Sequence, residues 1–113
     1  MRGINKVVFS GNIGGSIKFQ ETGKGIPSCS FQVASDRHAH GEVVTAWVKV
    51  NAYGQGLVRS CKPRLRKGAY VIVEGELMNR DSRGFKELVE IRAREVIFPF
   101  NGRREEETNV NDN

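Results

Sequence analysis

EVVTAWVKVNAY, residues Glu42–Tyr53, decides how the rest of this 113-residue chain is read. Val44, Ala46, Val48, Val50 and Ala52 fall on one side of its alternation, and Val43, Thr45, Trp47, Lys49, Asn51 and Tyr53 on the other. Side chains alternate across the pleat of a strand. One side is therefore able to fill a core, while the other offers two aromatic rings, an ammonium and an amide. Gly54 ends the strand.

On its N-terminal side two further strands are expected. Pro27 suits the first position of the nearer one. Along Ser28–Arg37, Cys29, Phe31 and Val33 share one face and Ser30, Gln32 and Ala34 the other, with His38–Gly41 as a loop. Before it lie a glycine-punctuated turn at Glu21–Ile26 and the β-rich stretch Ile4–Gly14, which Ile17–Gln20 continues after a bend. On the C-terminal side, Leu57, Val58, Cys61 and Leu65 lie near helical spacing and predict a short helix within Gln55–Lys67. Pro63 kinks or shortens it, and Gly68 is its terminator. Ala69–Met78 is a strand with Ala69, Val71, Val73, Gly75 and Leu77 on one face and Tyr70, Ile72, Glu74 and Glu76 on the other. Phe85–Phe98 is the last strand, with Val89, Ile91 and Ala93 inward and Lys86, Leu88, Glu90, Arg92 and Arg94 outward.

The order is three strands, a short helix and two strands. It predicts an all-β protein with one short helix, a closed barrel or a sandwich, and a helix between the third and fourth strands is the arrangement of the five-stranded antiparallel OB-fold barrel. The expected domain spans residues 1–100, and residues 101–113, almost without apolar side chains, are expected to form a disordered polar tail.

Charge narrows the function. Residues 1–100 hold 16 Lys/Arg against 9 Asp/Glu, whereas the tail carries a slight negative excess. A basic body suits a polyanionic partner. Arg59, Lys62, Arg64, Arg66 and Lys67 fall in one stretch without an acid. They read either as a phosphate ridge or as a solvated helix face, and the latter is favoured for Arg59 and Lys62. No apolar run approaches membrane-spanning length, and no leader-like segment opens the chain. A cytoplasmic, nucleoid-associated protein is expected. Cys29 and Cys61 lack the close spacing of metal or redox pairs and read as reduced thiols. His38 and His40 lack further ligands, so no metal and no cofactor is called for. With no GxSxG, P-loop or HExxH motif, no enzyme is expected.

Three ordered segments resemble the bacterial-type single-stranded DNA-binding protein family, SSB. RGINKVVFSGNIG (Arg2–Gly14) resembles that family's opening strand, WVKVNAYG (Trp47–Gly54) its third, and LRKGAYVIVEGEL (Leu65–Leu77) its helix end and fourth strand. FKELVEIRAREVIF (Phe85–Phe98) resembles the last strand less strictly. The resemblance covers nearly all of residues 2–98. It implies an OB-fold that binds single-stranded DNA with little sequence preference, serving replication, recombination or repair. It also implies a homo-oligomer, a tetramer in preference to a dimer. By position Trp47 and Tyr53 match the stacking aromatics, Lys49 a basic residue between them, and Lys67 and Arg80 basic positions along the DNA path. Lys6 and Arg37 join the candidate set as strand and loop cations. Phe85 joins it as the ring nearest a tryptophan that the turn around Asp81–Ser82 lacks; His38 is the ring nearest another missing tryptophan. The chain ends Asn-Val-Asn-Asp-Asn where the family carries an acidic Pro-Phe tip, so the resemblance leaves recruitment of replication and repair proteins open. A primosomal OB-fold interaction protein resembling PriB is the alternative.

The chemistry suits these residue types. A general single-strand binder needs flat rings for bases and mobile cations for phosphates, and stacking contributes about 1–3 kcal/mol per base. Trp47 and Tyr53 stand roughly 20 Å apart by strand rise, so they would hold different nucleotides. From the residues alone, burial of either ring in a subunit interface or under a loop is the competing reading.

Overall fold

The computed structural model describes residues 1–79 and 89–100. Five strands and one helix run in the order β1 (Val7–Glu21), β2 (Pro27–Ala39), β3 (Glu42–Tyr53), α1 (Gln55–Cys61), β4 (Tyr70–Asn79) and β5 (Val89–Ile97). The strands close into a barrel in the order β1-β2-β3-β5-β4. Five strands closed in this way, with a helix between the third and fourth, make an OB-fold.

β1 is one long strand rather than two. Its first half pairs with β4, from Val7↔Gly75 to Asn12↔Tyr70, and its second half pairs with β2. The change of partner needs a bend, supplied by register shifts between Ile13 and Lys18, where Gly15 (φ 129°) and Ser16 (φ 54°) take positive φ. β2 and β3 form a hairpin paired from Ser28↔Tyr53 out to Ala39↔Glu42. The first half of the segment His38–Gly41 is thus strand. Only His40 (φ 53°) and Gly41 (φ 79°) turn, with the two positive φ values that a tight hairpin of this twist requires.

One pairing is not antiparallel. β3 and β5 run parallel through Val50↔Ile91 and Asn51↔Arg92, and this short seam closes the barrel. Alternation within a strand says nothing about its neighbour's direction, so the all-antiparallel expectation had no means of finding it.

The core gathers Ile13, Cys29, Phe31, Val33, Val50, Ala52, Val71, Val73, Ile91, Ala93 and Val96, capped at one end by Val58 and Cys61 of α1. Each fully buried large side chain among them contributes roughly 1.5–3 kcal/mol. Cys29 and Cys61 are free thiols. Its hydrogen bond to Cys29, then its burial, holds the Cys61 thiol well above the ordinary range. Both side chains belong to the core. Among the described residues no three His, Cys, Asp or Glu side chains gather as a metal site, and no helix is long and apolar enough to cross a membrane.

Several expected inward residues are not in the core. Val44 and Ala46 are exposed because the outer half of the β2–β3 hairpin projects beyond the barrel, where neither face has a core to cover. Leu77, on the apolar face of β4, and Val89, at the start of β5, are each 48% exposed. In β5 the phase slips: Glu74 pairs with Glu95 but Gly75 with Ala93, so Arg94 is the extra residue of a bulge and Val96 turns inward. α1 stops at Cys61, before Pro63, which a helix interior would not tolerate. Gly68 (φ 92°) terminates no helix. It turns the chain into β4, and its amide donates to the Ile13 carbonyl at 2.7 Å.

Candidate nucleic-acid interface

The outward face of β3 keeps the order the sequence suggests, and cross-strand pairing shows what surrounds each residue. Trp47 lies opposite Ala34, Lys49 opposite Gln32, Asn51 opposite Ser30 and Tyr53 opposite Ser28. Small and polar partners leave the rings and the ammonium standing above the sheet. Trp47 is 59% exposed. Its ring reaches across Ala34 to β1 and lies on Gly14, where a Cβ would overlap the ring atom Cζ3. Glycine at that position lets the indole lie low on the sheet with its outer face open, the posture of a stacking platform.

From Lys49 a trough runs along the sheet. Ser16, Lys18, Ser30, Gln32 and Lys49 line its first part, of about 210 Å³. Gln20, Glu21, Thr22, Ser28, Asn51 and Tyr53 join Lys49 and Ser30 around the next, of about 250 Å³. Lys49 and Ser30 belong to both parts, so the two adjoin. Among the described residues neither Lys18 nor Lys49 has a carboxylate within ion-pair distance. Their charges are available to an anion in the trough.

Asn51 departs from its expected role. It faces outward yet is buried, and its amide donates to Glu90 Oε1 at 2.8 Å. Glu90, expected on the outer face as a solvent-exposed acid, is 6% exposed. Asn51 is committed to this bond and is a structural tie between β3 and β5. Nothing local in either strand announces it, because the partners are 39 residues apart.

The remaining candidates divide. Lys67 is exposed in the turn before β4, beside Gly68, whose bond to Ile13 brings that turn to the Trp47 end of the face. Lys6 is elsewhere: just before β1, it forms an ion pair with Glu74 at 3.3 Å on the β1–β4 side. Arg37 pairs with Val44 in the outer hairpin, so by register it lies on the opposite face of that ribbon from Trp47. His38, opposite Val43, shares the Trp47 face. Arg80 and Phe85 lie outside the described residues, as does the 101–113 tail.

Two residues matter that were read only as an outward charge and an unassigned ring. The Arg92 guanidinium carbon stands 5.2 Å from the Tyr53 ring centroid, and Lys62 Nζ is 5.5 Å from the Phe19 ring centroid. Alternation did put Arg92 outward, but the parallel β3–β5 seam is what delivers it to Tyr53.

Fold and face together define an OB-fold protein with an aromatic, basic sheet surface. The chain belongs to the single-strand binding protein family, whose model matches residues 4–98. It is 33% identical over 124 residues to "Single-stranded DNA-binding protein 2" of Chlorobaculum tepidum, covering 96% of this chain and 82% of that one. It is 38% identical over 81 residues to the single-stranded DNA-binding protein of Xanthomonas campestris, covering 67% of this chain and 46% of that one. Its fold matches a solved Plasmodium falciparum SSB complex with ssDNA at a TM-score of 0.74 and 23% identity, covering 87% of this chain and 96% of that one.

Proposed function

We propose that this chain is a non-catalytic binder of single-stranded DNA with little sequence preference, protecting exposed strands during replication, recombination or repair. The observation that carries the proposal is the row Trp47–Lys49–Tyr53 above the trough. Bases stack on Trp47 and Tyr53, and phosphates pair with Lys49, Lys18 and Lys67. Ring faces accept any base, which accounts for the low sequence preference. Family membership and the names of the relatives support the same reading. Arg80 and Phe85 are proposed to extend the path; Lys6 and Arg37 are assigned no stacking or trough contact. Residues 1–100 are proposed as the binding domain, with 101–113 a polar extension.

A homo-oligomer, a tetramer in preference to a dimer, is part of the proposal. The strand partner of β1 on the β2 side begins only at Asn12, which leaves the other edge of Val7–Gly11 without a strand among the described residues. Val8 and Ile4 beside it are exposed. Such an edge pairs readily with its symmetry mate.

Titration of intrinsic fluorescence with oligo(dT) at several salt concentrations tests the function. Trp47 is the only tryptophan, so the signal reports one place per chain. The expected result is strong quenching at stoichiometric DNA, with affinity falling as salt rises. Binding without quenching would take Trp47 off the path, and absence of binding would end the proposal.

A further inference from the structure

The trough does not stop at Tyr53. Beyond it lies a cleft of about 490 Å³ lined by Thr22, Gly23, Lys24, Ile26, Tyr53 and Arg92. Thr22 and Tyr53 also line the trough, so the cleft adjoins it. Its volume falls within the range of small-molecule pockets, roughly 300–1,000 Å³.

Both walls are set by the fold. One is the β1–β2 turn. The Thr22 hydroxyl accepts the amides of Lys24 and Ile26, each at 3.2 Å, and the Thr22 amide donates to the Ile26 carbonyl at 2.8 Å. Gly25 takes φ 80° to close that turn. The other wall is Tyr53 with Arg92, held beside each other by the Asn51↔Arg92 register. Ile26 and the Tyr53 ring are the apolar surfaces, and Lys24 and Arg92 the cations. Arg94, two residues on, is neutralised by Glu76 at 3.2 Å. Among the described residues Arg92 and Lys24 have no such partner.

We propose that this cleft seats one nucleotide of the single strand at the end of the sheet path. The base lies against Ile26 and Tyr53, and the phosphate pairs with Arg92 and Lys24. Arg92 has two tasks. Its guanidinium carbon stands 5.2 Å from the Tyr53 ring centroid, a cation–π distance that favours the ring's place beside it, and its charge serves the phosphate. A neutral partner would leave two unpaired cations without a counter-charge, and a partner lacking flat groups would waste the ring and the isoleucine. The inference rests on the single-strand binding proposed above and gives the nucleotide at Tyr53 its turn and phosphate contacts, Ile26, Lys24 and Arg92.

The test uses the full chain and oligo(dT) at a series of salt concentrations, with Arg92→Ala, Arg92→Lys, Ile26→Glu and, as reference, Trp47→Ala. Arg92→Ala is expected to bind about tenfold more weakly and to reduce the salt slope by about 0.7, the contribution of one phosphate contact on a single strand. Arg92→Lys is expected to restore the slope but not the full affinity, because an ammonium lacks the planar fork of a guanidinium. Ile26 is exposed in a turn, so Ile26→Glu is expected to keep the wild-type unfolding midpoint and to bind about tenfold more weakly, by setting a carboxylate against the phosphate. Wild-type affinity and slope in Arg92→Ala, or wild-type affinity in Ile26→Glu, would overturn the cleft while a weakened Trp47→Ala left the sheet path standing. A wild-type chain that fails to bind oligo(dT) would remove both.

Discussion

Gly14→Ala separates the binding surface from the fold. Gly14 lies outside the positive-φ set, so alanine suits its backbone. The difficulty is only the Trp47 ring, since the new methyl would overlap Cζ3 and stand 2.7 Å from Cη2. Carbon pairs settle at about 3.5–4.0 Å, so the indole must rise or swing by about 1 Å or more. With the residue 59% exposed, about two fifths of its surface is covered. For a side chain that buries roughly 250 Å², that is about 100 Å², or about 2.5 kcal/mol at most. The lower chain entropy of alanine offsets about 0.4–1 kcal/mol of it. The fold therefore survives with a loss of up to about 2 kcal/mol, while the stacking contribution of about 1–3 kcal/mol per base is lost or reduced, a weakening of about 5- to 150-fold. Fluorescence reads both: the free protein should emit at longer wavelength, and oligo(dT) should quench it less. In a double-mutant cycle Gly14→Ala should add nothing to Trp47→Ala. Unchanged emission with affinity inside about twofold of wild type would refute the seating of Trp47 on β1 and the role drawn from it.

At Gly75 the obstacle is backbone instead. A Cβ there would overlap the Arg92 carbonyl oxygen and stand 2.9 Å from Ala93 Cα, so Gly75→Ala should lower stability by about 3 kcal/mol or more in urea unfolding. Asn51→Ala removes a hydrogen bond to a buried carboxylate and should lower stability by about 1.5–3 kcal/mol, with Glu90→Gln in the same chain showing strong non-additivity. The Cys29–Cys61 hydrogen bond lowers the Cys29 thiol and, with burial, raises the Cys61 thiol, so above pH 9.0 the folded pair keeps one proton that the unfolded chain has lost. Stability should be intact below that value and decline above it by up to about 1.4 kcal/mol per pH unit, a slope that Cys61→Ala abolishes in denaturant titrations at fixed pH.

The sequence was most informative where a strand has the core on one side and solvent on the other. Cys29, Phe31 and Val33 of β2, and Val71 and Val73 of β4, lie where alternation puts them. Alternation misled where that condition lapses. In the outer hairpin Val44 and Ala46 continue the apolar pattern past the barrel's rim, so the pattern outlasts the core that gives it meaning. In β5 the bulge at Arg94 shifts the phase by one residue, and no glycine there marks it. The candidate site was legible as a row, Trp47, Lys49 and Tyr53, because the row lies on a single strand. Its cross-strand parts were not: Gly14 under the indole, Glu90 beneath Asn51 and Arg92 against Tyr53 all depend on register. Lys6 and Arg37 were plausible by charge alone, and charge alone does not choose a face.

Barrel closure and the far end of the binding surface are the same event. The β3–β5 seam has only Val50↔Ile91 and Asn51↔Arg92 as paired residues, and the Asn51–Glu90 bond reinforces it from the outer face. A short parallel seam is a weak ladder by itself. The buried amide–carboxylate bond therefore carries an unusual share of the closure, and the same register carries Arg92 to Tyr53. Whatever loosens the seam withdraws the guanidinium from the ring and opens the cleft beyond it. The Trp47 end is independent of this, because it rests on β1 through Gly14 and on β2 through Ala34. The two halves of the face thus have separate supports, which is why changes at Gly14 and at Asn51 should weaken different parts of one path.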